Sequence, residues 1–190
     1  MKKLSLFFAG AILFCTAANA QLKKGDVIIG ADIANFKVGL NKGSGYDIKL
    51  SPFAAKFISD NLAVGAKLDF SVSGSKGAST YTSYGVTAMG RYYISDPKLS
   101  VLKHARFFAE ATAGIQGDNI SEGNSTNGFG FSFGPGVTYF ITPNIGLEGL
   151  LKYNGLVGGG SQTYKSNLNL NIGFSIFLPS SKAKAVLKGK

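Results

Sequence analysis

The chain has one cysteine, Cys15, and one histidine, His104. Cys15 lies in an apolar run near the start that reads as a cleaved leader. The remaining chain then holds no cysteine, which excludes disulfides, thiolate metal sites and a cysteine nucleophile. A lone histidine leaves no pair of imidazoles, and no other cluster has metal-ligand spacing. Beyond the leader no stretch is apolar for about 18 residues, so a transmembrane helix is excluded. Helical periodicity is hard to find, whereas glycine, with 26 residues, and aromatics are frequent. A secreted chain of this composition is all-β. The formal net charge of +10 is unevenly placed: Lys2 and Lys3 are in the leader, and Lys182, Lys184, Lys188 and Lys190 are at the far end. The body between is only mildly basic, which argues against nucleic acid as a partner.

Residues 1–20 have the plan of a secretory signal. Lys2 and Lys3 precede an apolar run over 4–14, and Ala18-Asn19-Ala20 supplies an A-x-A cleavage site. Cleavage is expected between Ala20 and Gln21. Phe14 precedes Cys15 where lipoprotein processing needs a small residue, so Cys15 reads as part of the apolar run. What is left suits one domain over 21–178, followed by a basic tail over 179–190.

That domain is patterned with period two. In the clearest segment Leu168, Leu170, Ile172, Phe174, Ile176 and Leu178 alternate with Asn169, Asn171, Gly173 and Ser175, and Phe177 is the one exception. Successive side chains of a strand point to opposite faces, so one face is hydrocarbon and the other mostly amide, glycine and hydroxyl. The length suits a tilted bilayer crossing, apolar toward lipid and polar toward a wet interior. Similar alternation predicts strands over 26–38, 46–58, 62–72, 81–94, 106–116, 128–141, 145–154 and 168–178, with a slip of phase near Asn35 that suggests a bulge.

Connections alternate in character. Residues 41–45, 73–80, 117–127 and 155–165 are loops rich in Gly, Ser and Asn, the last including Gly158-Gly159-Gly160, read as a flexible loop without a following helix to bind phosphate. Between them, Ser59-Asp60-Asn61 and Thr142-Pro143-Asn144 are tight turns; the connection over 95–105 is longer, with room for a helical turn. An even strand count, short turns on one side and longer loops on the other predict an eight-stranded antiparallel up-and-down transmembrane β-barrel in the outer membrane, with both termini in the periplasm. A soluble lipocalin-like barrel would instead turn its apolar faces inward.

Several segments carry a family resemblance: Ser51-Pro52 with residues 57–65, the strand end Gly90-Arg91-Tyr92-Tyr93, and the run 133–148 that begins Phe133-Gly134-Pro135-Gly136. In order and spacing these resemble the outer-membrane protein β-barrel domain family, the small OmpX-like and OmpA-like barrels of the porin family in Gram-negative bacteria. The final strand also resembles the signal read by the barrel assembly machinery, with Asn171, Gly173, Ile176 and Leu178 at its positions. The resemblance implies fold and location; it does not imply an activity.

Inward positions of the expected strands carry Asp32, Asp47, Asp69, Glu110 and Glu148 against Lys49, Lys67, Arg91, Arg106 and Lys152. Buried charges are tolerable when paired, so these residues are expected to form a salt-bridge network filling a narrow lumen. The alternative is a narrow porin-like channel for ions or small solutes. His104 falls on the short-turn side, away from the loops, so no Ser-His-Asp set can form there and no enzymatic activity or cofactor is expected. Tyr81, Tyr84, Tyr92, Tyr93, Tyr139, Tyr153 and Tyr164 fall near strand ends, as an interfacial aromatic girdle would; Tyr81 and Tyr164 also suit a carbohydrate platform. The expected partners are membrane lipid, lipopolysaccharide and, during biogenesis, the assembly machinery, with the protein a monomer. The tail is too poor in apolar residues to fold alone.

Overall fold

The computed structural model describes residues 22–38, 45–75, 79–94, 104–120, 125–160 and 164–180. Eight strands follow in chain order: β1 (Val27–Val38), β2 (Gly45–Ser59), β3 (Leu62–Ser75), β4 (Tyr81–Tyr93), β5 (Ala105–Ile120), β6 (Thr126–Thr142), β7 (Ile145–Gly160) and β8 (Tyr164–Leu178). Each pairs antiparallel with its chain neighbour, and β8 returns beside β1 to close the barrel. Closure pairs strands that would otherwise be edges, the condition for β-structure to stand in hydrocarbon.

The two tight turns expected from sequence are present. Asn61 adopts a positive φ of 65°, a conformation Asn tolerates better than most residues, and Thr142 Oγ1 accepts from the backbone N–H groups of Asn144 and Ile145. The bulge near Asn35 is also present, as a register shift of β1 on β2 between Ala34 and Lys37.

At the loop end the strands run further than expected. β5 continues to Ile120, β7 to Gly160, and β8 begins at Tyr164. Gly158-Gly159-Gly160 is therefore ladder rather than loop, opposite Gly128, Asn127 and Thr126 of β6. The leader, residues 95–103 of the connection expected to hold a helical turn and residues 181–190 of the tail lie outside the described residues.

Outward and inward faces separate by chemistry. Val86, Ile115, Leu170 and Ile172 are all more than 60% exposed on the outside, while Asp32, Lys67, Arg91, Glu110, Glu148 and Lys152 are buried inside. This is opposite to what a lipocalin-like barrel needs, and it matches a barrel whose solvent is lipid. The closing seam is the shortest ladder, joining 27–33 of β1 to 172–178 of β8. Among the described residues, 164–171 of β8 pair with β7 alone.

Candidate functional site: a layered lumen

Three layers fill the barrel. At the short-turn end Ile28, Phe57, Tyr93, Phe108, Phe140 and Phe177 form an apolar floor, with Leu22 packed among them. Tyr93 is its centre, with ring centroids 5.9 Å from Phe57, 5.5 Å from Phe108 and 6.1 Å from Phe177. The girdle expected from sequence therefore needs two corrections. Tyr93 is wholly buried inside the barrel, because the strand's alternation puts its even-numbered neighbour Tyr92 outward. Tyr81 likewise faces the lumen, on the wall of the cavity described below. Tyr84, Tyr92, Tyr139 and Tyr164 are outward and exposed, and Tyr153 is outward with its hydroxyl bonded to that of Tyr164.

Above the floor lies a continuous charge chain. Lys67 Nζ sits 2.7 Å from Asp32 Oδ2 and 2.5 Å from Glu110 Oε1. Arg91 donates through Nε and Nη2 to Glu110 Oε2, at 3.0 and 2.6 Å, and through Nη1 to Glu148. Thr138 adds a hydroxyl donor to Glu148, and Tyr93 accepts from Arg91 Nη1. Every charge in this chain thus meets an opposite one, as burial requires. Aromatic rings on the lumen wall back the cations. The Arg91 guanidinium carbon lies 4.2 Å from the Phe108 ring centre and 4.7 Å from that of Phe53, and Lys67 Nζ lies 5.1 Å from Phe53. These rings lie flat where the wall has no side chain: a Cβ on Gly30 would strike the Phe53 ring, and one on Gly136 the Phe108 ring.

Of the ten charges grouped from sequence, Asp32, Lys67, Arg91, Glu110 and Glu148 are joined. Lys152 is buried near this level, without an ion pair among the described residues. Asp69 accepts from Ser51 Oγ at 2.7 Å and, with Asp47 and Lys49, lines a higher layer. Arg106 is half-buried at the short-turn end. One network cannot hold all ten, since they are spread along the barrel axis over far more than hydrogen-bond reach. The third layer is a polar cavity of about 240 Å³ toward the loop end, walled by β2, β3, β4, β5, β7 and β8.

In the final strand Asn171 and Gly173 point inward and Ile176 outward, with Leu178 half-buried at the strand end. A Cβ on Gly173 would come within 2.6 Å of Asp32 Oδ1, so this glycine makes room for the carboxylate across the seam. The side-chain polar atoms of Asn171, Ser175 Oγ and Asp32 Oδ1 are buried without hydrogen-bond partners among the described residues. His104 is half-buried beside Tyr139, with its carbonyl accepting from Phe140 N–H at the short-turn end.

The architecture is similar to that of solved small barrels. Neisserial surface protein A shares 18% identity with a TM-score of 0.54, over 80% of this chain and 95% of that one. The outer membrane protein OprG from Pseudomonas aeruginosa shares 11% with a TM-score of 0.51, over 84% and 98%. Ail from Yersinia pestis, in a phospholipid nanodisc, shares 12% with a TM-score of 0.51, over 82% and 100%. At these identities the likeness is one of fold. No curated protein matches the sequence. The outer membrane protein beta-barrel domain family matches residues 6–175, nearly the whole length, and the chain belongs to that family.

Proposed function

We propose that this protein is a non-enzymatic outer-membrane barrel with a sealed lumen, serving envelope structure or surface contacts through the loops at its loop end. The observation that carries this reading is the floor: Phe57, Tyr93 and Phe108 are at most 1% exposed and stand directly beneath the Arg91 chain. An ion crossing the barrel would have to displace packed rings and break buried ion pairs. In this reading the leader is removed before Gln21, and the short-turn end, where Leu22 and Ser180 both lie, faces the periplasm. The protein works as a monomer in contact with lipid and lipopolysaccharide, after insertion by the barrel assembly machinery. His104, the chain's one imidazole, is at the opposite end from the loops, which leaves the loop end without the usual base for acyl transfer.

Planar-bilayer recording tests the seal. The purified protein should give no steady conductance; stable open-channel currents would favour the narrow-channel reading instead.

A further inference from the structure

The loop-end cavity is built for hydrogen bonding rather than for packing. Its wall carries the hydroxyls of Ser71, Ser73, Ser83 and Tyr81 and the amides of Gln116, Asn154, Asn167 and Asn169, with only Leu156 and Gly155 contributing no side-chain polar atom. Part of this wall is organised in advance. Ser71 and Ser83 share a 2.5 Å hydroxyl contact, and Asn154 Nδ2 donates to Asn167 Oδ1 at 2.9 Å. Gln116 is set by two gaps in its neighbours: a Cβ on Gly85 of β4 or on Gly130 of β6 would run into its side chain. A long amide lying across two glycines is held by its surroundings, and its donor and acceptor atoms have no protein partner among the described residues.

The charges narrow the ligand. Asp47 and Asp69 against Lys49 leave the described wall with an excess of carboxylate, which is unfavourable to anions. Among the described residues no three metal-ligating side chains gather closely enough to hold a metal ion. What remains is a neutral solute dense in hydroxyl groups, which carboxylates can accept from and amides can both donate to and accept from, against a tyrosine ring with an apolar body and a polar tip. The volume equals about eight waters of liquid, the scale of a single sugar ring and below that of drug-sized ligands.

We propose that the cavity is a dead-end binding site for one neutral sugar ring, free or at the end of a glycan, with Gln116, Asn154, Asn167 and Asn169 as its principal hydrogen-bonding residues. The proposal rests on the sealed-barrel reading, since a solute entering from the loops stops at the charge chain.

The test uses the full-length protein folded in phosphatidylcholine nanodiscs, which carry no sugar headgroup. Side-chain amide resonances of the four residues are followed while glucose, N-acetylglucosamine or a short oligosaccharide ending in either is added. Saturable shifts are expected. Equal shifts from monosaccharide and oligosaccharide would identify a glycan end as a source, and shifts from the monosaccharide alone would identify a free sugar. Gln116→Leu, which keeps the bulk over Gly85 and Gly130, should weaken binding at least about tenfold; Ser73→Phe, which fills the cavity, should abolish it, with folding of both checked by gel mobility. No shift with any sugar, shifts with tetramethylammonium instead, or unchanged binding in folded Ser73→Phe would overturn the proposal. Liposome swelling separates the two readings: sugar-driven swelling would remove the seal and leave the site, while absent amide shifts would remove the site and leave the seal.

Discussion

Arg91 holds Glu148 with a single nitrogen, Nη1 lying 2.8 Å from both carboxylate oxygens. Its remaining donors are thereby free to grip Glu110 from β5, so one guanidinium ties β4 to β5 beside it and to β7 across the lumen. Glu110 would still pair with Arg91 if Glu148 were lost, whereas Glu148 has Arg91 as its one ion-pair partner among the described residues.

Glu148→Ala should destabilise the barrel by about 1–3 kcal/mol, because it removes a charged acceptor from Arg91 while Glu110 stays as the counter-charge. Urea unfolding in lipid vesicles measures this. A double-mutant cycle with Arg91→Met should show a coupling well above the few tenths of a kcal/mol found between independent sites.

Two lumen- and lipid-facing glycines should respond in opposite ways. Around Gly65 an added Cβ would collide with the backbone of Ala54 and Ala55, whereas around Gly90 it would meet nothing within 4 Å. Gly65→Ala is expected to cost about 1–3 kcal/mol through overpacking. Gly90→Ala should be neutral or gain up to about 1 kcal/mol by restricting the unfolded chain. The same unfolding titration reads both.

The outward faces were legible in sequence because lipid demands hydrocarbon at every second residue, and Leu62, Val64, Ala66, Leu68 and Phe70 obey without a break. The apolar floor was not. Phe57, Tyr93, Phe108, Phe140 and Phe177 each sit directly beside an outward apolar residue, as in Tyr92-Tyr93, Phe107-Phe108 and Ile176-Phe177-Leu178. Where both faces are apolar the period vanishes, and such doublets look like noise in an alternating strand. Their recurrence at the short-turn ends of several strands was the available signal. Strand length at the loop end was hidden for the opposite reason: glycine carries no side chain to alternate, so the ladder of β7 continues through Gly158-Gly159-Gly160 unmarked. Inward charges could be read singly from their phase, but which five would meet depends on the register of strands across the lumen.

Unboiled protein should migrate differently from boiled protein on a detergent gel, since a closed ladder has few edges from which detergent can peel a strand. Identical migration, together with solubility in buffer free of detergent, would contradict the lipid-facing assignment of Ile115, Leu170 and Ile172.

Removing residues 181–190 should leave assembly intact. The last strand ends at Leu178, and the final described contact is the Ser180 amide donating to Asp26 Oδ1 at 2.9 Å. Truncation after Ser180 keeps that bond; truncation after Leu178 loses it and should loosen the start of β1. Expression with recovery in the outer-membrane fraction compares the two, and failure of the longer form would place part of the assembly signal in the tail.

The seam between β1 and β8 separates two kinds of event in time. Every other ladder joins strands adjacent in the chain, so each can form as a hairpin with a short loop to close, whereas this one must bring together segments from opposite ends of the domain. Its ladder is also the shortest, so the step with the largest entropic cost is rewarded with the fewest backbone bonds. Ring closure is then expected to be the last and slowest stage of folding, and the same joint the first to part when the barrel is stressed. Substitutions at Gly173 or Asp32 should show themselves in the rate at which the ring shuts before they show in the shape it finally takes.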